Sequence, residues 1–158
     1  VTYGTLMFEE AQKIGIKDRD EMRRLPVEKQ RQLQESAARH IAEMASDIVI
    51  VDTHLFINTQ EGYYPGLPQH LLAIMNPTHL IMVSADPVQI ARRRQNDPTR
   101  KRDEATAEAI KNDLDISKMM LASCSVIVGA PFAIVLNDDG KVEEAAEKIA
   151  RILGDRSK

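Results

Sequence analysis

The sequence predicts an α/β fold built on a parallel sheet, and three observations lead there. Strand-like and helix-like stretches alternate along the 158 residues. Ile48-Val49-Ile50-Val51 is a continuous β-branched run, not an alternating one, as expected of a strand covered on both faces. The connections between strand-like stretches are long and helical, which suits right-handed crossovers between parallel strands.

The elements follow in order. Val1-Thr2-Tyr3 reads as the tail of a strand. Residues 4–15 carry Leu6, Met7, Ala11 and Ile14 at helical spacing and end on Gly15, a helix-stopping residue. Residues 18–25 predict a short helix with acids in its first turn. Pro26 can open the next helix, since its missing N–H would be unpaired there anyway. Leu33, Ala37, Ile41 and Met44 then mark one face of a helix running to about Ser46. After the strand at 48–51, residues 53–68 lose periodicity and gain Gly62, Pro65, Gly66 and Pro68, predicting a long loop of the kind that carries function. A short helix at 69–75, a strand at 79–83 and a helix from Pro87 to about Gln95 come next. A polar, arginine-rich connection occupies 96–103. A long helix follows from Glu104 to about Val128, with a break expected near Asp115, then a strand at 132–136 and a last helix at 142–153. No internal repeat, low-complexity tract or domain linker interrupts the chain.

Composition narrows the function. Lys and Arg number 21 against 24 Asp and Glu, a formal net charge of −3. An acidic chain with three Tyr, three Phe and no Trp lacks the basic field and stacking platforms of a general nucleic-acid coat. The single cysteine, Cys124, sits among Met119, Met120, Leu121 and Val126 and reads as a buried apolar residue in a reducing, cytoplasmic setting. No apolar run approaches the ~20 residues of a membrane-spanning helix, and no charged-then-apolar leader opens the sequence.

Open parallel sheets bind ligands beyond the carboxyl ends of their strands. The residues that matter are therefore Gly4 and Thr5; Asp52, Thr53 and His54; Ser84, Asp86 and Pro87; Asn137 and Asp138. Asp52 closes a β-branched run. There a lone carboxylate either steers a magnesium ion or simply caps a turn, and the long loop that follows favours the ion. Arg92, Arg93, Arg94, Arg100, Lys101 and Arg102 put six cations into eleven residues. Successive helix residues turn by about 100°, so Arg92, Arg93 and Arg94 cannot all face one ligand. Arg100 and Arg102 lie in the polar loop and are placed to close on an anion, as phosphoryl transfer requires, although a solvated face is the alternative. Arg19, Arg23 and Arg24 are interleaved with acids, a pattern typical of surface pairs. His54 either touches a phosphate or is a hydrogen-bonded loop residue. The histidines do not cluster at metal-ligand spacing and no CxxC or HExxH occurs, which argues against a zinc site, and there is no Gly-x-Ser-x-Gly elbow.

Read together, these loops resemble the archaeal-type adenylate kinases. The stretches that carry the resemblance are Tyr3-Gly4-Thr5-Leu6-Met7-Phe8-Glu9, Asp18-Arg19-Asp20-Glu21-Met22-Arg23-Arg24-Leu25 and Val51-Asp52-Thr53-His54. Two more are Gly62-Tyr63-Tyr64-Pro65-Gly66-Leu67-Pro68 and Asp97-Pro98-Thr99-Arg100-Lys101-Arg102-Asp103. The resemblance implies a P-loop NTPase-like parallel sheet with helices on both faces and a short lid. It implies the reaction ATP + AMP ⇌ 2 ADP with Mg2+, in a cytoplasmic homo-oligomer, a trimer. It places Gly4 and Arg23 in the AMP pocket, with Gly66-Leu67-Pro68 against the base and Asp52 positioning the magnesium. Arg93 would flank the ATP adenine, Arg100 and Arg102 would close over the phosphates, and Gly129 would begin the loop that touches the ATP base.

Three departures accompany it. No G-x-x-x-x-G-K-[ST] phosphate loop occurs in the sequence, Asn58 stands where Lys or Arg is common, and Lys118 stands where Arg is usual. The phosphate loop is expected upstream of Val1, so residues 1–158 are read as one kinase domain, N-terminally incomplete. The alternatives are a catalytically silent AMP-binding or assembly module and, less well matched by charge, an RNA-associated protein.

Overall fold

A computed structural model describes residues 1–59, 62–96 and 106–154. The chain divides into two units, Val1–Pro77 and Thr78–Lys158. The mixed α/β class with a parallel strand pair agrees with the sequence.

In the first unit, α1 (Tyr3–Lys13), α2 (Arg19–Arg23), α3 (Val27–Ala42) and α4 (Gln69–Met75) surround small apolar cores. Tyr3 and Leu6 of α1 pack with Ala37, Ala38 and Ile41 of α3 and Leu71 of α4. The paired alanines allow close helix approach, and all six side chains are buried. A second cluster joins Ala11, Met22 and Leu33. Local signals set the helix ends. The Asp18 side chain accepts the Glu21 N–H at 2.7 Å to cap α2, and Pro26 precedes the first turn of α3. The helix expected to reach about Ser46 ends at Ala42, yet Met44 still packs on the core.

Two stretches differ from expectation. Residues 48–51 form no strand of their own; the local pairing is a parallel bridge between Thr2 and Asp52. Val49 and Val51 pack on the first core, whereas Ile48 and Ile50 stay exposed. The run is covered on the Val49 and Val51 side only, and among the described residues its backbone finds a neighbour only at Val1–Tyr3. The loop expected at 53–68 instead contains an antiparallel hairpin, β1 (Phe56–Thr59) with β2 (Gly62–Pro65). Phe56 meets Tyr63 edge-to-face, with ring centroids 4.9 Å apart.

In the second unit, β3 (Leu80–Ser84) and β4 (Phe132–Leu136) pair in parallel, Leu80 opposite Phe132 and Ser84 opposite Leu136. Helices α5 (Pro87–Gln95), α6 (Ala107–Val128) and α7 (Val142–Ile152) complete it. Leu80, Met82 and Ser84 of β3 are buried and Val135 of β4 is fully so, while Val83 and Leu136 are exposed. The expected break in α6 near Asp115 does not occur; the helix runs unbroken from its Thr106 cap to Gly129, which adopts the left-handed conformation a helix stop requires. Cys124 is buried, and burial pushes its thiol above the ordinary range, so it is not a reactive thiolate.

Candidate functional site

Each unit carries a polar cluster where a chain segment meets a helix. In the first, the Tyr3 N–H donates to the Asp52 carbonyl at 2.9 Å and the Asp52 N–H to the Val1 carbonyl at 2.8 Å. These bonds hold exposed Asp52 beside the first turn of α1, where Gly4 lies. The guanidinium reaching Gly4 is that of Arg19. It donates to the Gly4 carbonyl at 3.4 Å and the Thr5 hydroxyl at 3.1 Å, and lies over the Phe8 ring at 5.5 Å. Arg23, which the resemblance assigns with Gly4 to the AMP pocket, pairs with Asp20 at 2.8 Å one turn back along α2, with its side chain well exposed. Sequence reading undervalued Arg19 because its acidic neighbours disguise it as part of a surface run. Its separation from Gly4, fifteen residues, carries no periodic signal.

The hairpin aims the next segment. The Gly66 N–H donates to the Leu55 carbonyl at 2.9 Å, and a Cβ at Gly66 would lie 2.2 Å from the His54 carbonyl oxygen. Only glycine fits this approach of two backbones, which brings His54 and the Gly66-Leu67 turn together. Leu67 is buried and His54 exposed.

In the second unit the cations gather at the carboxyl ends of β3 and β4. The Asp86 side chain caps α5 by accepting from the Val88 and Gln89 N–H groups, and Pro87 fills the first helical position. The last turn of α5 then presents Arg93, whose Nε donates to Asp139 at 2.9 Å and whose second terminal nitrogen donates to the Asn137 carbonyl at 2.9 Å. Arg92 pairs with the other oxygen of Asp139, and the Asp139 N–H donates to Gln89 at 2.7 Å. Two of the three consecutive arginines thus converge on one loop. Arg94 is turned otherwise, its Nε shielded from solvent and without a partner among the described residues.

A cavity of about 540 Å³ opens beside this network. Ser84, Asp86 and Asp138 line it from the strand ends, and Lys111, Asp115 and Lys118 from α6. Gly129 is elsewhere: it precedes β4, at the amino end of that strand, with the full strand between it and Asn137. The segment that meets Arg93 is therefore 137–139, whose first two residues follow the strand end as the parallel-sheet rule expects. Arg100 and Arg102 lie outside the described residues. Among the described residues no group of three His, Cys, Asp or Glu side chains could hold a metal by itself, and no helix is long and apolar enough to cross a membrane.

Comparison with known proteins bears on the family. A family model described as an AAA domain matches residues 1–111. The adenylate kinase of Thermoplasma acidophilum is 45% identical over 154 residues, covering 97% of this chain and 83% of that protein. That of Pyrococcus horikoshii is 40% identical over 156 residues, covering 97% and 80%. That of Methanocaldococcus jannaschii is 37% identical over 155 residues, covering 97% and 81%. Identity of this order across nearly the whole chain places it: the chain belongs to the adenylate kinase family.

Proposed function

We propose that this protein transfers the γ-phosphoryl group of ATP to AMP, giving two ADP. The observation that carries the reading is the convergence of guanidinium and ammonium groups at the carboxyl ends of the parallel pair, in a chain of this family. Phosphoryl transfer makes few covalent demands on a protein. An AMP phosphate oxygen attacks the γ-phosphorus in line, the bond to the β,γ-bridging oxygen breaks, and catalysis lies in positioning and charge neutralisation.

Gly4 and Arg23 are assigned to AMP, with Arg19 added because it already reaches Gly4. The Gly66-Leu67 turn is assigned to the AMP base, and His54 to a phosphate. Arg93, braced by Asp139, flanks the ATP adenine, and Asn137 and Asp138 replace Gly129 as the loop nearest that base. Arg100 and Arg102 close over the phosphates, excluding water that would otherwise hydrolyse ATP. Asp52 is the residue to hold Mg2+. A lone exposed carboxylate suits an ion that takes one or two protein ligands and fills its remaining positions with phosphate oxygens and water. When bound, that ion neutralises charge developing on the β- and γ-phosphates. The amide cradle for those phosphates is not encoded in residues 1–158, and the reading assigns it to chain outside them, completing a single kinase domain. A cytoplasmic homotrimer is the proposed assembly, checked by light scattering.

A coupled assay of ADP formation from ATP and AMP, on protein expressed from the complete reading frame, tests the reading. Turnover is expected, and Arg100→Ala is expected to lower kcat strongly; unchanged turnover in that variant removes Arg100 from the mechanism. AMP binding without ADP formation would favour the silent binding module.

A further inference from the structure

We propose that Gln30 is a positioning residue of the AMP site, whose side-chain amide clips the end of α2 to the start of α3 and so sets where Arg23 presents its guanidinium. The proposal rests on the kinase reading above, which assigns Arg23 to AMP, and adds a residue that reading did not use.

Helix α2 cannot hold itself. It has five residues, far fewer than the roughly 12–15 that an isolated helix needs in water. Its one buried residue is Met22, which packs with Ala11 and Leu33, and a flexible unbranched side chain secures depth better than rotation. Polar side chains secure both ends. At the start, Asp18 Oδ1 accepts the Glu21 N–H at 2.7 Å and Glu21 Oε2 accepts the Lys17 N–H at 2.8 Å, a reciprocal cap. At the finish, the Asp20, Glu21 and Met22 carbonyls accept from the Arg24 and Leu25 N–H groups. The Arg23 and Leu25 carbonyls, beyond them, accept from Gln30 Nε2 at 3.0 and 2.8 Å.

Both acceptors are carbonyls, so the amide meets them with its NH2 group, one hydrogen for each. Gln30 is itself well anchored. Its N–H donates to the Pro26 carbonyl at 3.1 Å in the first turn of α3, and Leu33, three residues on, lies in the buried cluster with Met22. One side chain thus spans the turn between two helices and grips the backbone of Arg23 directly. The consequence falls on the arginines of α2. Arg19 and Arg23 stand four residues apart and share one face of the helix. Arg19 is tied to Gly4 and Thr5, whereas the Arg23 guanidinium holds only an exposed partner, Asp20, in a pair weak enough to open for an anion. Where that guanidinium meets a phosphate is then decided by its backbone. A displacement of about 1 Å in a positioning group can cost about 100-fold in rate. Gln30 acts at that point without touching the nucleotide.

The test is steady-state ADP formation by the complete protein, with AMP and ATP varied separately. Gln30→Met keeps the length of the side chain and loses both donors. It should raise the KM for AMP about tenfold, with the KM for ATP unchanged. Because the effect runs through Arg23, adding Gln30→Met to Arg23→Ala should raise the KM for AMP by less than about twofold beyond Arg23→Ala alone; a merely structural glutamine would exert its full effect there. Gln30→Lys, which again offers donors to both carbonyls, should recover most of the loss seen with Gln30→Met. If Gln30→Met does not fold, Gln30→Glu, similar in shape but without an NH2 group, takes its place in each measurement. An unchanged KM for AMP in the variant without donors, an equal rise in the KM for ATP, or a full effect in the Arg23→Ala background overturns the proposal and leaves the kinase reading standing. Absence of wild-type ADP formation overturns the kinase reading itself; the clip is then judged by isothermal titration with AMP, where equal affinity in wild type and Gln30→Met, or no binding by wild type, refutes it.

Discussion

Replacing Gly66 by alanine perturbs the site at the point where its geometry is tightest. A Cβ there would sit 2.2 Å from the His54 carbonyl oxygen and 3.0 Å from its carbon. Both atoms belong to the backbone, so no side-chain rotation relieves the clash, and the two strands of chain must part by roughly 1 Å to restore ordinary contact. Overpacking of this kind costs about 2 kcal/mol. The separation also stretches the Gly66 N–H bond to the Leu55 carbonyl, now 2.9 Å, worth about 1 kcal/mol more. A total of about 3 kcal/mol corresponds, in a chain of this size, to a fall in Tm of roughly 6–12 °C. Differential scanning calorimetry and urea midpoints measure it directly. Because the His54 and Gly66-Leu67 segments move apart, the KM for AMP should rise as well. A Gly66→Ala variant with unchanged Tm would refute the close backbone approach, and an unchanged KM for AMP would remove the turn from the AMP site.

Three further outcomes are expected. Arg93→Ala removes the brace between α5 and the 137–139 loop; with a partly exposed guanidinium the stability loss should be only about 1 kcal/mol, while the KM for ATP rises about tenfold, and an unchanged KM would detach Arg93 from the adenine. Burial, followed by the nearby Glu35 charge, pushes the Tyr3 phenol well above its ordinary value, and its hydroxyl donates to the Gln34 carbonyl at 2.6 Å. Above about pH 10 the unfolded chain releases this proton more readily than the folded one, so stability falls as pH rises, and Tyr3→Phe should show a smaller fall in urea midpoint between pH 9 and 11. Conversely, the Lys13 hydrogen bond, with His40 beside it, holds the Glu10 carboxyl below its ordinary range. Its contribution is present above about pH 4.3 and is lost as pH falls through the folded value, so Glu10→Gln should flatten the acid limb of the stability curve.

How far the sequence revealed these features depended on the range of the interactions involved. The short helix at Gln69–Met75, the Pro87 helix and the Phe132–Leu136 strand have the bounds their local patterns predict, because caps, prolines and apolar runs act within a few residues. The hairpin was obscured because Gly62, Pro65, Gly66 and Pro68 read as breakers, although Phe-Ile-Asn-Thr and Tyr-Tyr are good strand formers. Ile48-Val49-Ile50-Val51 has every local property of a buried strand, but pairing is a property of neighbours, and only Val1–Tyr3 meets it among the described residues. Topology alone pointed to the residues after each expected strand, Asp52, Asp86, Asn137 and Asp138, as candidates. The Arg19 contact with Gly4, the Asp139 brace on Arg93 and the Gln30 clip on α2 are side-chain geometries with no sequence period, so they emerged only from the structure.

The most direct test of phosphoryl transfer between adenine nucleotides is phosphorus NMR of the complete protein with ATP, AMP and Mg2+. The expected spectrum shows ATP and AMP disappearing together while ADP grows at two molecules per ATP consumed, with no free phosphate. ATP loss that is independent of AMP, or that ends in inorganic phosphate, would contradict the account.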